Sequence, residues 1–343
     1  MSAEVNSMAR IAWLDTCKGI CILLVVYGHI SGGLEVSGKL APHTFWIALR
    51  EWVYLFHMPA FFALSGMLAS KLAKLSPQQF FLSRLRTICF PYIVWTVILV
   101  GTQYVLAQYA NTPPDLSRAR RFLVEPYGYG LWFLYSLLII SLIYYLVASW
   151  RIPVVVTLGL ALSLSLLASQ NVFAFWPILN TSLSFFIYYA AAACASESEV
   201  FLFPAMGRFA ELLSGACLLL TMTLLHMALN DRGWLFNVVL AGLGIMGVIC
   251  LAKGLAKTIT DRFWTVLGMF SLEIYLGHPL WGTLARAGLL RSRIDSPTVF
   301  VLAGVCVGVA GSLFIGVLCR TWNFPYLFKW PQRQPRPLEA VPA

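Results

Sequence analysis

Apolar runs of about 18 residues or more recur along this 343-residue chain, near positions 11–31, 44–70, 88–109, 129–149, 153–170, 176–194, 207–229, 234–252, 263–283 and 298–319. A helix needs roughly 20 apolar residues to cross hydrocarbon, and runs this numerous cannot all be hidden in one water-soluble core. With 59% hydrophobic and only 11% charged residues, the chain reads as an all-α, polytopic membrane bundle of about ten transmembrane helices. The segments between runs reach only about 20 residues, too short to fold alone. Residues 1–343 are therefore expected to form a single transmembrane domain, with a short basic tail from residue 321.

The formal net charge of +10 would suit a nucleic-acid binder in a soluble protein. Here the basic residues gather in short loops beside apolar runs, the pattern of membrane topology and headgroup attraction, which excludes nucleic acid as a partner. With the N-terminus inside, fourteen basic loop residues fall on the cytoplasmic side against nine outside, so both termini are expected to be cytoplasmic. The eight cysteines all lie in or beside apolar runs and suggest no disulfide framework. Cys17 and Cys21 share a helix face, but without a second pair or nearby histidines no metal site is expected. The first run lacks a small-residue cleavage motif and carries charges that a signal sequence avoids, so it is expected to be retained.

Chemistry concentrates in that first run, RIAWLDTCKGICILLVVYGHIS (Arg10 to Ser31). Lys18 and His29 are eleven residues apart, which returns them to roughly the same azimuth, about 20° off and about 16 Å along the axis. Asp15 falls on the same stripe. Ionisable groups at bilayer depth cost at least about 2.5–3.5 kcal/mol and normally face a bundle interior or a water-filled cavity. The stripe argues for a polar tunnel or cleft. The plainer alternative is that Asp15 and Lys18 anchor the helix start at the headgroups and His29 sits at the far interface.

Further polar groups follow. His57 lies near the middle of the second run, two residues before Pro59, which is expected to kink that helix; it is as readily a packing histidine as a functional one. A cytoplasmic loop carries Lys71, Lys74, Arg84 and Arg86, either an anion-binding patch or ordinary positive-inside anchoring. An outer loop carries Arg118, Arg120 and Arg121, and could touch an anionic acceptor or outer headgroups. Trp132 and Tyr135 suit an aromatic belt, or stacking on a sugar ring. Glu273, expected near mid-membrane, should be protonated or paired with a cation such as Lys18 or a histidine. His278 precedes Pro279 towards the outer end.

No internal repeat, phosphate loop, zinc pattern or serine elbow is present, and histidine is the acid/base group found at several membrane depths. One class this allows is a proton-coupled transporter or flippase of a glycan or small anion, with Asp15, Lys18, His57 and Glu273 as a relay. Transporters usually show repeated halves or paired broken helices, and neither is visible in the sequence. A structural scaffold of an envelope-synthesis complex would be a third class.

The segments LDTCKGICILLVVYGHI, FHMPAFFALSG, RLRTICFPYIVW, LWFLYSLL and SLEIYLGHPLW, taken in order, resemble the acyltransferase-3 family of integral membrane O-acyltransferases. The resemblance implies an acyltransferase that moves an acyl group, with acetyl expected, from cytoplasmic acyl-CoA to a hydroxyl of a cell-surface or lipid-linked glycan. It implies residence in the bacterial cytoplasmic (inner) membrane, and acyl-CoA, membrane lipid and a glycan acceptor as partners, with no metal. The family's motif of a basic residue, ten others and a histidine falls on Lys18 and His29, Lys18 standing where arginine is frequent. Its pair of arginines associated with the CoA phosphates falls on Arg84 and Arg86, spaced by one residue instead of two. FHMP and LGHP place His57 and His278.

On this reading His29, Lys18 and Asp15 form the catalytic group, and His57, Trp132, Glu273 and His278 contact substrate. His29 would act as general base while Lys18 or His57 stabilises the oxyanion. A covalent acyl-histidine is a second route.

Overall fold

In the computed structural model, residues 12–107, 130–197, 206–229 and 233–330 are described. They contain helices and no strand: α1 (Ala12–Val36), α2 (Phe45–Tyr54), α3 (His57–Gly66), α4 (Ala69–Ala73), α5 (Pro77–Arg84), a π-helical turn Leu85–Cys89, α6 (Phe90–Val105), α7 (Trp132–Ser149), α8 (Val154–Ser169), α9 (Pro177–Glu197), α10 (Arg208–Ala228), α11 (Trp234–Leu255), α12 (Asp261–Met269), α13 (Ser271–Arg291), α14 (Pro297–Thr321) and a 3₁₀ turn Pro325–Leu327. Arg118, Arg120 and Arg121 lie outside the described residues.

Among the described residues, seven helical segments are long and apolar enough to cross a membrane. Their outward faces carry large apolar side chains such as Val97 (67% exposed), Phe209 (78%) and Phe314 (60%), which a lipid environment covers favourably. This is a multi-pass membrane protein.

Three of the ten runs do not form one continuous helix of spanning length. The second breaks at Leu55–Phe56 into α2 and α3, instead of bending at Pro59. Pro59 is then the third residue of α3, where an amide would lack an intrahelical partner anyway, so the missing N–H costs nothing. The fifth, α8, is short for a perpendicular crossing at 16 residues. The ninth divides at Phe270 into α12 and α13, and α13 continues to Arg291.

The expected basic loop before the third run is also helical. Ser76 and Gln79 form a reciprocal capping box with Pro77 in the first turn, starting a helix that runs through the π turn to Val105.

α1 is the central post, packed against α2, α3, α11, α12, α13 and α14. It meets α12 most closely where Gly19 faces the Trp264 carbonyl and Gly268 faces the Asp15 carbonyl, backbone against backbone. α13 pairs extensively with α14, α10 with α11, and α9 with α3, α7 and α8. A buried core including Ile22, Val25, Met58, Phe62, Phe133 and Ile274 joins α1, α3, α7 and α13.

Candidate active site

Lys18 and His29 each line a pocket along the same helix. The one near the start of α1, about 130 Å³, is lined by Lys18, Ser65, Phe133, Ser271, Tyr275 and apolar neighbours. Lys18 Nζ stands 3.9 Å from Asp15 Oδ1, one turn earlier. Asp15 is buried, and its backbone carries the α1–α12 crossing.

The other pocket, about 170 Å³, is lined by His29, His278, Thr283, Arg286 and several apolar residues, with Pro279 and Gly282 on the α13 side. The His29 and His278 rings meet edge to face with centroids 4.9 Å apart. Tyr275 stands between the two: it lines the Lys18 pocket, its ring lies 6.3 Å from that of His278, and its hydroxyl donates to the Gly130 carbonyl at 2.7 Å. Gly130, at φ +72°, lies so close to His29 that a Cβ there would come within 3.1 Å of the imidazole. The expected polar tunnel is thus two pockets divided at Tyr275.

The hydrogen bonds define the histidine tautomers. His278 Nδ1 lies 3.0 Å from the Ile274 carbonyl, and a carbonyl only accepts, so Nδ1 carries the proton and a neutral ring presents its lone pair at Nε2. That Nε2 is buried without a hydrogen-bond partner. His57 Nδ1 likewise meets the Val53 carbonyl at 2.9 Å, across the α2–α3 break. His57 lines neither pocket; its ring packs on Tyr54, 4.8 Å between centroids, and the Tyr54 hydroxyl donates to the Gly28 carbonyl at 3.2 Å. His57 therefore supports the stretch that ends in His29.

Glu273 is in the first turn of α13, and its cationic partner is neither Lys18 nor a histidine. Arg320 of α14 donates to its Oε1 at 2.8 Å and to the Met269 carbonyl at 3.1 Å. This ties the start of α13 to the end of α14 and takes Glu273 out of any relay with Asp15, Lys18 and His57. Trp132 packs among Phe62 and Phe185 and lines neither pocket.

Arg84 and Arg86 do not point the same way. Two positions on a helix are about 200° apart; Arg84 is partly buried, 5.7 Å over the Phe80 ring, with a buried Nε that has no partner, while Arg86 is exposed. At the same end, Lys74 and Arg151 line a larger cavity of about 540 Å³ with Tyr144 and Ser196. Tyr145 of α7 donates to the Leu75 carbonyl at 2.9 Å and stacks on Phe80 at 4.0 Å, tying α7 to the segment between Lys74 and Arg84.

Sequence reasoning missed Tyr275, Thr283 and Arg286. Their signal was present: Pro279, Gly282, Thr283 and Arg286 recur at three, four and seven residues, one face of a helix.

The arrangement of a basic pocket and a histidine pocket on one post can be set beside known proteins. No solved structure matches the chain. The nodulation protein NolL of Sinorhizobium fredii is 31% identical over 155 residues, 44% of this chain and 40% of that protein. The nodulation protein NolL of Mesorhizobium japonicum is 34% identical over 87 residues, 25% of this chain and 22% of that protein. The matched regions thus span less than half the length of these relatives. The acyltransferase domain family, by contrast, matches residues 11–317, from α1 into the last turns of α14. The chain belongs to the acyltransferase-3 family.

Proposed function

We propose that the protein transfers an acyl group, acetyl in the first instance, from cytoplasmic acyl-CoA to a hydroxyl of a cell-surface or lipid-linked glycan at the outer side of a bacterial cytoplasmic membrane. The observation that carries this reading is the placement of Lys18 and His29 in separate pockets along one helix. Ten passages with both termini cytoplasmic put the Lys18 end inside, together with Arg84, Lys74 and Arg151. The CoA phosphates dock among these basic groups, Arg84 foremost. The pantetheine arm passes Lys18 and displaces the Tyr275 side chain to bring its thioester to His29.

Neutral His29 takes the proton from the acceptor hydroxyl as its oxygen attacks the thioester carbonyl. Lys18 is well below this point, so a hydrogen-bond donor lining the His29 pocket, Thr283, is better placed to stabilise the oxyanion. The new C–O bond forms, the C–S bond breaks, and the proton held by His29 is returned to the thiolate, releasing free CoA. In the alternative route His29 itself takes the acyl group before the hydroxyl arrives.

The test is release of free thiol from acetyl-CoA by purified protein in detergent. Turnover that depends on His29 supports the reading; a protein that leaves acetyl-CoA intact while moving a glycan across vesicles is a flippase. Mass spectrometry of surface glycans from a deletion strain identifies the acceptor.

A further inference from the structure

We infer that the acceptor carries an anionic group, a carboxylate or a phosphate ester, close to the hydroxyl that is acylated, and that Arg286 binds it. The inference rests on the acyltransferase reading for the identity of the pocket's occupant. Its physical basis is separate: Arg286 lines the same pocket as His29 and His278, no Asp or Glu lines that pocket, and the arginine's Nε is buried without a hydrogen-bond partner among the described residues.

Two other described basic residues near this end have ion-pair partners within the protein. Arg50 pairs with Glu35 and Lys39 with Asp295. Elsewhere in the protein, Lys257 pairs with Glu211 and Arg320 with Glu273. A guanidinium turned into a partly enclosed pocket without a counter-charge is costly unless something supplies one. Its planar fork fits a carboxylate or phosphate in two-pronged fashion.

The pocket also limits where that charge can be. About 170 Å³ is small beside the roughly 300–1,000 Å³ of typical ligand clefts, so it admits a single sugar ring. Because His29 and Arg286 line this one small space, the reacting hydroxyl and the anion belong to the same ring or to its immediate linkage. A uronic acid and a sugar phosphate both meet this requirement.

The experiment uses full-length protein in phosphatidylcholine nanodiscs. Methyl β-D-glucoside, methyl β-D-glucuronide and glucose 1-phosphate are compared, first for equilibrium binding without donor and then for acetyl transfer from acetyl-CoA. The wild type should favour one or both anionic compounds, and Arg286→Gln should reduce the charged-to-neutral ratio of kcat/KM by about ten- to a hundredfold. Arg286→Lys should retain part of the preference. A glucuronide preference identifies a carboxylate acceptor, and a glucose 1-phosphate preference a phosphorylated one.

Equal binding of charged and neutral compounds by the wild type overturns the inference, as does an Arg286→Gln loss that is the same for all three. An effect of the substitution confined to nanodiscs containing phosphatidylglycerol assigns Arg286 to lipid headgroups and also overturns it. Charge-selective binding without acyl transfer would remove the acyltransferase reading and leave the anion site standing; transfer without charge preference would do the reverse.

Discussion

His29 sits where a small displacement would matter, with Gly130 and the edge-on His278 ring holding the imidazole at the pocket wall. Removing the imidazole should abolish acyl transfer by a factor of about 10² to 10⁴ without loss of protein. Assaying His29→Ala for thiol release and for monodispersity in detergent checks this, and wild-type turnover would remove the residue from the reaction. The two arginines of the donor end should separate in the same kind of assay. Arg84→Ala should raise KM for acetyl-CoA several-fold with kcat little altered, because Arg84 is turned inward with an unpartnered Nε; Arg86→Ala, at an exposed position, should change KM much less. Equal effects would mean that the donor approaches from outside the bundle.

Helix breaks and close crossings decide how these residues are presented. The α2–α3 break puts His57 in the first turn of α3, where its Nδ1 can bond the Val53 carbonyl before the break. At the α1–α12 crossing each backbone meets a glycine of the other helix. Gly268→Ala should force α12 away from Asp15 and shift the Lys18 pocket, with an overpacking cost of about 1–3 kcal/mol. A lowered Tm in detergent, accompanied by lower activity, is the expected result; unchanged melting would mean that the helices separate freely there. The capping box makes a contrasting prediction. Ser76→Ala should cost about 0.5–2 kcal/mol of local helix stability, read as faster amide exchange in α5, while an intact Arg84 preserves most donor affinity.

Across the whole molecule, apolar faces turned to lipid surround pockets that serve opposite ends of one post. The proposed topology places Lys39 outside and Lys74 inside. In intact cells a membrane-impermeant maleimide should label Lys39→Cys above the background of native cysteines and leave Lys74→Cys unlabelled. The reverse pattern would invert the roles of donor and acceptor ends.

Sequence alone determined the membrane class, the all-helical bundle and the stripe of Asp15, Lys18 and His29, because hydropathy and helical period are properties of neighbouring residues. The motif around His278 was legible through the family resemblance. Tertiary structure decided that His278 meets His29, that Glu273 pairs with Arg320, that Arg84 turns in while Arg86 turns out, and that Arg286 joins the histidine pocket. In lipid both the inward and the outward face of a helix are apolar, so the hydrophobic pattern does not say which side meets a neighbour. Only the packed bundle chooses.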